Sequence, residues 1–486
     1  MIKNLLSDSL KYGLGKAVTK FFPILIVPII AKTFPPEIFG EINIITVFVG
    51  LFFGISALGL DAAMGFFYFH GEEDLKRDYL GTALIARLLM SIFVFAGFIL
   101  FARVLSGADF MLKSNERYLL IILGAAVIPF DNCMVFFINL TRYLMKPLIF
   151  NIENFSKVII YYILISIFLI GDFTIENVLT AIIISSAIPA FLLFLFYRKH
   201  LKYKINFYCL KRLLRYGLPM VPASIMFFFM SSMGRFVLNA YTTLEETGIY
   251  SMMTFVAGIF LFFTNSILIA WPPYSMLIAK RHDAQAIFAR ITTLLLIFLI
   301  PLAFLFWSVS DIMILIFSTP IYLRGEKAVI LIILQHILNL IYYCAAIGLT
   351  LKEKTIYITI GYSIAAIVAV LISFPLCMYL GIFGAALSSC IGYLISTVYI
   401  AYKSQQFYFI PYNIKFLFIY SISFLTVLIL LLSLPGTNMV FNFIVRFVVG
   451  CIFLVIPFAS KNISLAEIKN MLFTKTKKIE TPNIVD

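Results

Sequence analysis

Charge is what this sequence has least of. Only 12% of its 486 residues are Asp, Glu, Lys or Arg, where a water-soluble domain carries roughly 25%. A surface facing water cannot be assembled from so few. With 62% hydrophobic residues, lipid becomes the solvent for most of the chain. Cysteine is scarce as well. Six stand singly, at Cys133, Cys209, Cys344, Cys377, Cys390 and Cys451, with no C-x-x-C pair. That excludes a disulfide framework and a metal-binding knuckle, and leaves small apolar packing residues. Catalytic signatures are missing: there is no H-E-x-x-H, no G-x-S-x-G and no soluble catalytic domain. The segment GLGKA at 13–17 lacks the first glycine of a phosphate-binding loop and has Ala17 where Ser or Thr would hold magnesium. Nor is a cleavable leader expected at 1–22: Lys16 and Lys20 interrupt any apolar h-region and no A-x-A site follows. These absences argue against an enzyme and against any cofactor or metal.

What is present is a series of long apolar runs. In hydrocarbon every backbone N–H and C=O must be satisfied internally, so spans are helices or a closed barrel. A barrel would alternate over segments of about ten residues; these runs are continuous, and helices of about 20 residues fit them. Spans are expected near 12–33, 41–69, 81–103, 118–140, 155–171, 175–197, 213–238, 248–278, 287–308, 328–350, 355–374, 379–402, 414–433 and 440–459. The expected fold is therefore all-α and membrane-integral, with about 14 spans. The net charge of +14 sits between spans, which indicates topology and an anionic membrane surface rather than nucleic acid. With both termini in the cytoplasm, the Lys and Arg residues favour cytoplasmic loops by roughly four to one. A dense run lies there: Arg198, Lys199, Lys202, Lys204, Lys211, Arg212 and Arg215. The outer loops are short, the longest being about 104–117 and 309–327, which gives a membrane polymerase or ligase little on which to build a site.

The chain repeats itself. AKTFPPEIFGEINIITVFVGLF at 31–52 aligns without gaps on NAYTTLEETGIYSMMTFVAGIF at 239–260, so that Glu37 meets Glu245, Gly40 meets Gly248, and Gly50 meets Gly258. Each copy opens a set of six spans, which places the copies in the same orientation about an axis along the membrane normal. The division expected is a first six-helix lobe over 1–200, a second over 201–405, two additional helices over 406–460 and a cytoplasmic tail over 461–486. Prolines within spans (Pro23, Pro28, Pro129, Pro189, Pro219, Pro222, Pro272, Pro273, Pro301) are kink sites, either ordinary membrane-helix prolines or hinges for alternating access.

Ionisable residues inside the membrane cost at least about 2.5 kcal/mol at a helix centre and are functional candidates by default. Lys16 and Lys20 share one face of the first helix. Asp61, Arg87 and Asp131 lie in spans two to four, and Glu153 with Lys157 stands at i,i+4 at the entry to span five. Arg235, His336 with Asn339 on the same face, and Arg446 follow. A cavity lined by Lys16, Lys20, Arg87 and Arg235 would attract an anion such as phosphate or pyrophosphate. Asp61, Asp131 and His336 would serve as charge partners or ion-coupling groups. The competing reading is that Lys16, Arg87, Lys157, Arg235 and Arg446 snorkel or pair structurally, that Asp61 or Asp131 neutralises Arg87, and that His336 is a core histidine.

At these residues the chain resembles a known family. Its opening through AKTFPPEIFGEINIITVFVGLFFGISALGLDAAMGFFYF, and the segment RYGLPMVPASIMFFFMSSMGRFVLNAYTTLEETGIYSMMTFVAGIFLFFTNSILIAWPPYS, are similar to the polysaccharide-transporter proteins. These are the O-antigen and capsule-repeat flippases of the multidrug/oligosaccharidyl-lipid/polysaccharide superfamily. Gly234 and Gly65 depart from that pattern, since relatives often carry an acidic residue and an arginine there. The resemblance implies two six-helix lobes around a central cavity and two extra helices. It implies a flippase in the bacterial inner membrane, carrying an undecaprenyl-pyrophosphate-linked oligosaccharide by alternating access, driven by an ion gradient or by substrate supply. Its expected partners are the lipid-linked oligosaccharide, membrane lipid, and a polysaccharide polymerase with other assembly proteins; nucleic acid is not among them. Two other readings stand beside it: a multidrug exporter of the same superfamily, which should hold carboxylates deep in the membrane, and a membrane polysaccharide polymerase or ligase.

Overall fold

The structure is a computed structural model. It describes residues 23–70, 72–107, 115–144, 146–171, 173–279, 281–352, 354, 356–433 and 438–459. Among them there are helices and no strands. In chain order they are α1 (Pro23–Thr33), α2 (Pro36–Ser56), α3 (Leu60–His70), α4 (Lys76–Gly107), α5 (Asn115–Tyr143), α6 (Pro147–Phe168), α7 (Ile175–Tyr197), α8 (Phe207–Gly217), α9 (Val221–Tyr241), α10 (Leu244–Ala279), α11 (Ala284–Phe317), α12 (Glu326–Ala345), α13 (Ile356–Phe407), α14 (Ile414–Ser433) and α15 (Met439–Ala459). Their starts follow local chemistry. Pro35–Pro36 and Pro147 supply fixed φ at a first turn, Thr174 accepts from the Asn177 amide, and Asn206 accepts from the amides of Tyr208 and Cys209.

Eleven described helices are long and apolar enough to cross a membrane. α13 supplies one further crossing, because its 52 residues would extend about 78 Å if straight, more than twice a bilayer core. It turns at Gly381, where φ is +52° and ψ −128°. The 21-residue α9, packed along α13 and α2, brings the crossings among the described residues to thirteen; of the expected first span only α1 is described.

Several boundaries differ from expectation: α6 starts at Pro147, eight residues before the expected 155, and α11 runs to Phe317, nine past the expected 308 and into the expected outer loop, while three spans differ in kind. The span expected at 41–69 is two helices, broken at Ala57–Gly59, where Leu58 and Gly59 have φ of +51° and +66°. The span expected at 213–238 begins at Val221. Pro219 ends the preceding helix in a 3-10 turn, so 207–217 stands apart as the amphipathic α8, with Cys209, Leu213 and Gly217 buried and Phe207, Lys211 and Arg215 exposed. No loop separates 374 from 379; the turn comes at Gly381 instead.

α2 to α7 pack among themselves through α5, and α9 to α13 through α10, α12 and α13. α8 lies on α3 and α4, and α15 lies along α11. The two groups meet where α2 crosses α10. There the repeat-equivalent glycines face each other: a methyl built on Gly40 would lie 2.8 Å from the Gly248 nitrogen, and one on Gly248 would lie 3.1 Å from the Gly40 nitrogen. Both would press on opposing carbonyls, of Leu244 and Pro36. Ion pairs sort the helix ends. On the glycine side Arg324 bonds Glu245 at 2.8 Å and Glu246 at 3.4 Å, and Lys327 donates to Leu432 O at 2.9 Å. On the other, basic side Arg212 bonds Glu72 at 3.1 Å and Lys202 bonds Asp78 at 2.6 Å. Gly59 and Gly217 close together on that side, with Leu58 O 2.7 Å from a methyl built on Gly217.

Candidate functional site

Lys16 and Lys20 lie outside the described residues. The other expected site residues divide into separate clusters. Arg87, on α4 and only 1% exposed, is bound on three sides. Its Nη1 pairs with Asp61 of α3, its Nε donates to Asn132 Oδ1 at 2.6 Å, and its guanidinium lies 5.8 Å from the Phe53 ring centroid. Asn132 Nδ2 donates in turn to Ser56 Oγ at 2.8 Å, and Asn139 Nδ2 to Asp61 Oδ1 at 2.8 Å. Arg87 Nη2 is buried without a hydrogen-bond partner among the described residues. Asp61 keeps 38% of its side chain exposed, so the network is closed around the cation and open at the carboxylate. The break after α2 produces this arrangement: it ends one helix at Ser56 and starts the next so that Asp61 falls in the first turn of α3. Asn132 and Asn139 escaped the sequence reading, although two amides seven residues apart in an apolar run mark one helix face.

Asp131 does not neutralise Arg87. It accepts from Lys157 Nζ at 2.6 Å, across from α5 to α6, and both side chains stay partly exposed. Glu153 therefore has no lysine, and the expected i,i+4 contact is not made. Its Oε1 accepts from Thr141 at 2.7 Å and from Tyr197 at 3.1 Å, in a pocket where Glu153 is 3% exposed.

Arg235, on α9, lies beside Tyr250 of α10, and its neighbour Gly234 packs on the Ala385 carbonyl of α13. Among the described residues no carboxylate pairs with it, and its Nε is buried without a hydrogen-bond partner. Phe236, next to it, has its ring 4.4 Å from that of Phe48 on α2, where the two helix groups approach. His336 and Asn339 are on α12, half-buried, and Tyr362 donates to Asn339 Oδ1 at 3.2 Å.

Arg446 joins α15 to the second group. It bonds Asp311 at 3.0 Å and Glu326 at 2.7 Å, and its guanidinium lies 4.0 Å from the Trp307 ring centroid. Its partners are 135 and 120 residues away, beyond any local pattern. Further along α15, residues Phe447, Val448, Cys451, Ile452, Val455 and Ile456 line an open apolar groove.

A family described as polysaccharide biosynthesis protein matches residues 5–279. No curated protein matches the sequence. Among solved structures, the chain superposes on the lipid II flippase MurJ in an inward closed conformation, with TM-score 0.67 and 16% identity over 92% of this chain and 97% of that one. It superposes on an inward-facing multidrug resistance MATE family transporter of the MOP superfamily with TM-score 0.58 and 12% identity, over 80% of this chain and 94% of that one. A MOP superfamily transporter from Pyrococcus furiosus, described as having a binding pocket of reversed polarity, gives 0.50 and 15% over 82% and 94%.

Proposed function

We infer function from one premise: the chain belongs to the polysaccharide biosynthesis protein family, and its fold is that of the flippases and multidrug transporters of the MOP superfamily. On that premise it is a multi-pass membrane transporter, and we propose that it flips a lipid-linked oligosaccharide, an O-antigen or capsule repeat on undecaprenyl pyrophosphate, out of the cytoplasmic leaflet of the inner membrane. The basic side would face the cytoplasm. The first group of six spans, about 1–200, and the second, about 201–405, would rock against one another, closing and parting the α2–α10 crossing that seals the glycine side, with the helices of 406–460 attached to the second.

The observation that carries the proposal is Arg235. A guanidinium on α9 whose Nε is buried without a partner, and with no carboxylate paired to it among the described residues, is a preorganised partner for a diphosphate, which it can grip through two parallel hydrogen bonds. Arg87 would act differently, releasing its charge only if Asp61 moved away with α3. Lys16 and Lys20 would add to the same field. The α15 groove offers an apolar track for a polyprenyl chain. A cation exporter fits less well. Asp61, Asp131, Asp311 and Glu326 each face a cation already, and Glu153 is enclosed by Thr141 and Tyr197.

The test uses the cells that carry the gene. Deleting it should leave the linked single repeat on the inner leaflet and remove surface polysaccharide, whereas a polymerase defect would leave single repeats on the surface. Arg235→Glu, expressed at the normal level, should reproduce the deletion, and Arg235→Lys should restore part of the export. Surface polysaccharide unchanged in both the deletion and Arg235→Glu refutes the proposal.

A further inference from the structure

α12 is more enclosed than the other described candidate spans. It packs on α10, α11 and α13, and Val329 to Gln335, Ile337, Leu340 to Tyr342 and Cys344 are all buried. Leu338 packs on Tyr393 and Tyr362 of α13 and on Met226 of α9. Beyond the first turn, where Glu326 and Lys327 are partly open, what remains open are His336, Asn339 and Tyr343, spaced i, i+3 and i+7 on one narrow arc, with Tyr343 41% exposed. A helix face turned to lipid is apolar, because a polar one there costs free energy without return. The single open face of this helix is its polar one. It therefore borders the space between the two helix groups.

The face holds no Asp, Glu, Lys or Arg. Tyr362 brings its hydroxyl to Asn339 Oδ1 at 3.2 Å, and its ring stands 4.3 Å from that of Tyr342 and 6.4 Å from that of Tyr343. Tyr342 is spent on structure, donating to Ile358 O at 2.6 Å. Asn339 makes no other hydrogen bond among the described residues, so both protons of its amide nitrogen are uncommitted. An open aromatic ring, a free amide donor and tyrosine hydroxyls suit a ligand that alternates apolar C–H faces with hydroxyl acceptors. They suit a phosphate poorly, since no cation stands among them.

We propose that this face of α12, with Tyr343 and Asn339 at its centre and Tyr362 behind them, is the glycan subsite: it holds the sugar of the lipid-linked substrate while the pyrophosphate is held elsewhere. The inference rests on the flippase reading and adds to it a separation of tasks: Arg235 on α9 grips the diphosphate, and this uncharged, hydroxyl-reading face of α12 takes the sugar.

The experiment compares two probes on the purified full chain in lipid nanodiscs by native mass spectrometry. One is undecaprenyl pyrophosphate; the other is the lipid-linked oligosaccharide pool extracted from the cells that carry the gene. The wild type should prefer the glycosylated pool by about tenfold, the discrimination that a site built to bond hydroxyls exerts against a ligand without them. Asn339→Leu and Tyr343→Leu should each cut that preference to about twofold or less, leaving the affinity for undecaprenyl pyrophosphate unchanged. Tyr343→Phe, which keeps the ring, should retain most of it. A wild-type preference that survives in Asn339→Leu and Tyr343→Leu overturns the glycan subsite, as does a wild type that binds the two probes equally. A wild type that binds neither probe overturns the flippase reading itself. Unchanged affinity for undecaprenyl pyrophosphate also certifies that each variant is folded.

Discussion

Gly248→Ala adds one methyl at the crossing of α2 and α10, and its effect can be worked from the geometry. The new carbon would stand 2.7 Å from the Pro36 carbonyl carbon and closer still to its oxygen. Carbon atoms in good contact are about 3.5–4.0 Å apart, so the helices must separate locally by roughly 1 Å. Neither obstacle is a side chain that could rotate away; both are backbone held in a helix. Overpacking of this kind costs about 1–3 kcal/mol. The cost falls on the state in which the glycine side is shut. If the alternative state parts this crossing, its population relative to the shut state rises by about 5- to 150-fold. Spin labels at Thr33→Cys and Tyr241→Cys, two exposed and repeat-equivalent positions on that side, report the change by double electron–electron resonance in a background lacking the native cysteines. The distribution should shift to longer distances in Gly248→Ala, and in Gly40→Ala as well. The double variant should fall short of the sum, because both methyls relieve themselves through one separation. An unchanged distance distribution in both single variants, with export intact, would refute the claim that this crossing seals the protein.

Other consequences are open to measurement. Asp61→Asn strands the buried Arg87 charge and should lower stability by about 3 kcal/mol, read as a drop in the melting temperature of purified protein; adding Arg87→Met should recover most of it. Arg446→Met leaves Asp311 and Glu326 facing one another and should destabilise comparably, while Arg446→Met with Asp311→Asn and Glu326→Gln should not. Glu153→Gln keeps an acceptor for Thr141 and Tyr197 and should melt within about 1 kcal/mol of wild type, whereas Glu153→Leu takes that acceptor away, leaving the two hydroxyls only each other and the Phe137 carbonyl, and should cost about 1–3 kcal/mol. On α8, burial pushes the Cys209 thiol above its ordinary range, so a maleimide at pH 7.5 should leave Cys209 unmodified in the folded protein and label it after denaturation.

Much of the architecture could be read from hydrophobic runs alone, because a bilayer imposes a length on each helix that no tertiary contact overrides. The repeat was legible for a different reason: Gly40 and Gly248 are demanded by a close approach, and such positions stand out within an apolar alphabet. Local rules failed where distant partners competed. Glu153 and Lys157 are correctly spaced to meet, yet Lys157 turns to Asp131 on the neighbouring helix. Arg446 gave no hint of Asp311 and Glu326, since nothing in spacing links residues more than a hundred positions apart. The run 213–238 was hydrophobic enough to pass as one span, and only the proline at 219 marked where the interfacial helix stops. Tyr343 and Tyr362 were lost among 26 tyrosines; their meaning comes from the burial of everything around them.

The meeting of Gly40 with Gly248 has a bearing on symmetry. A position that touches its own counterpart is what a dyad imposes on two identical subunits, where any side chain near the axis is encountered twice. The crossing thus has the form of an isologous dimer interface inside a single polypeptide. Within one chain that symmetry is not obligatory, since one side could carry a side chain and the other shrink to match it. That both are glycine lets the two helices part and meet again as equals, with neither side's backbone shielded from the other.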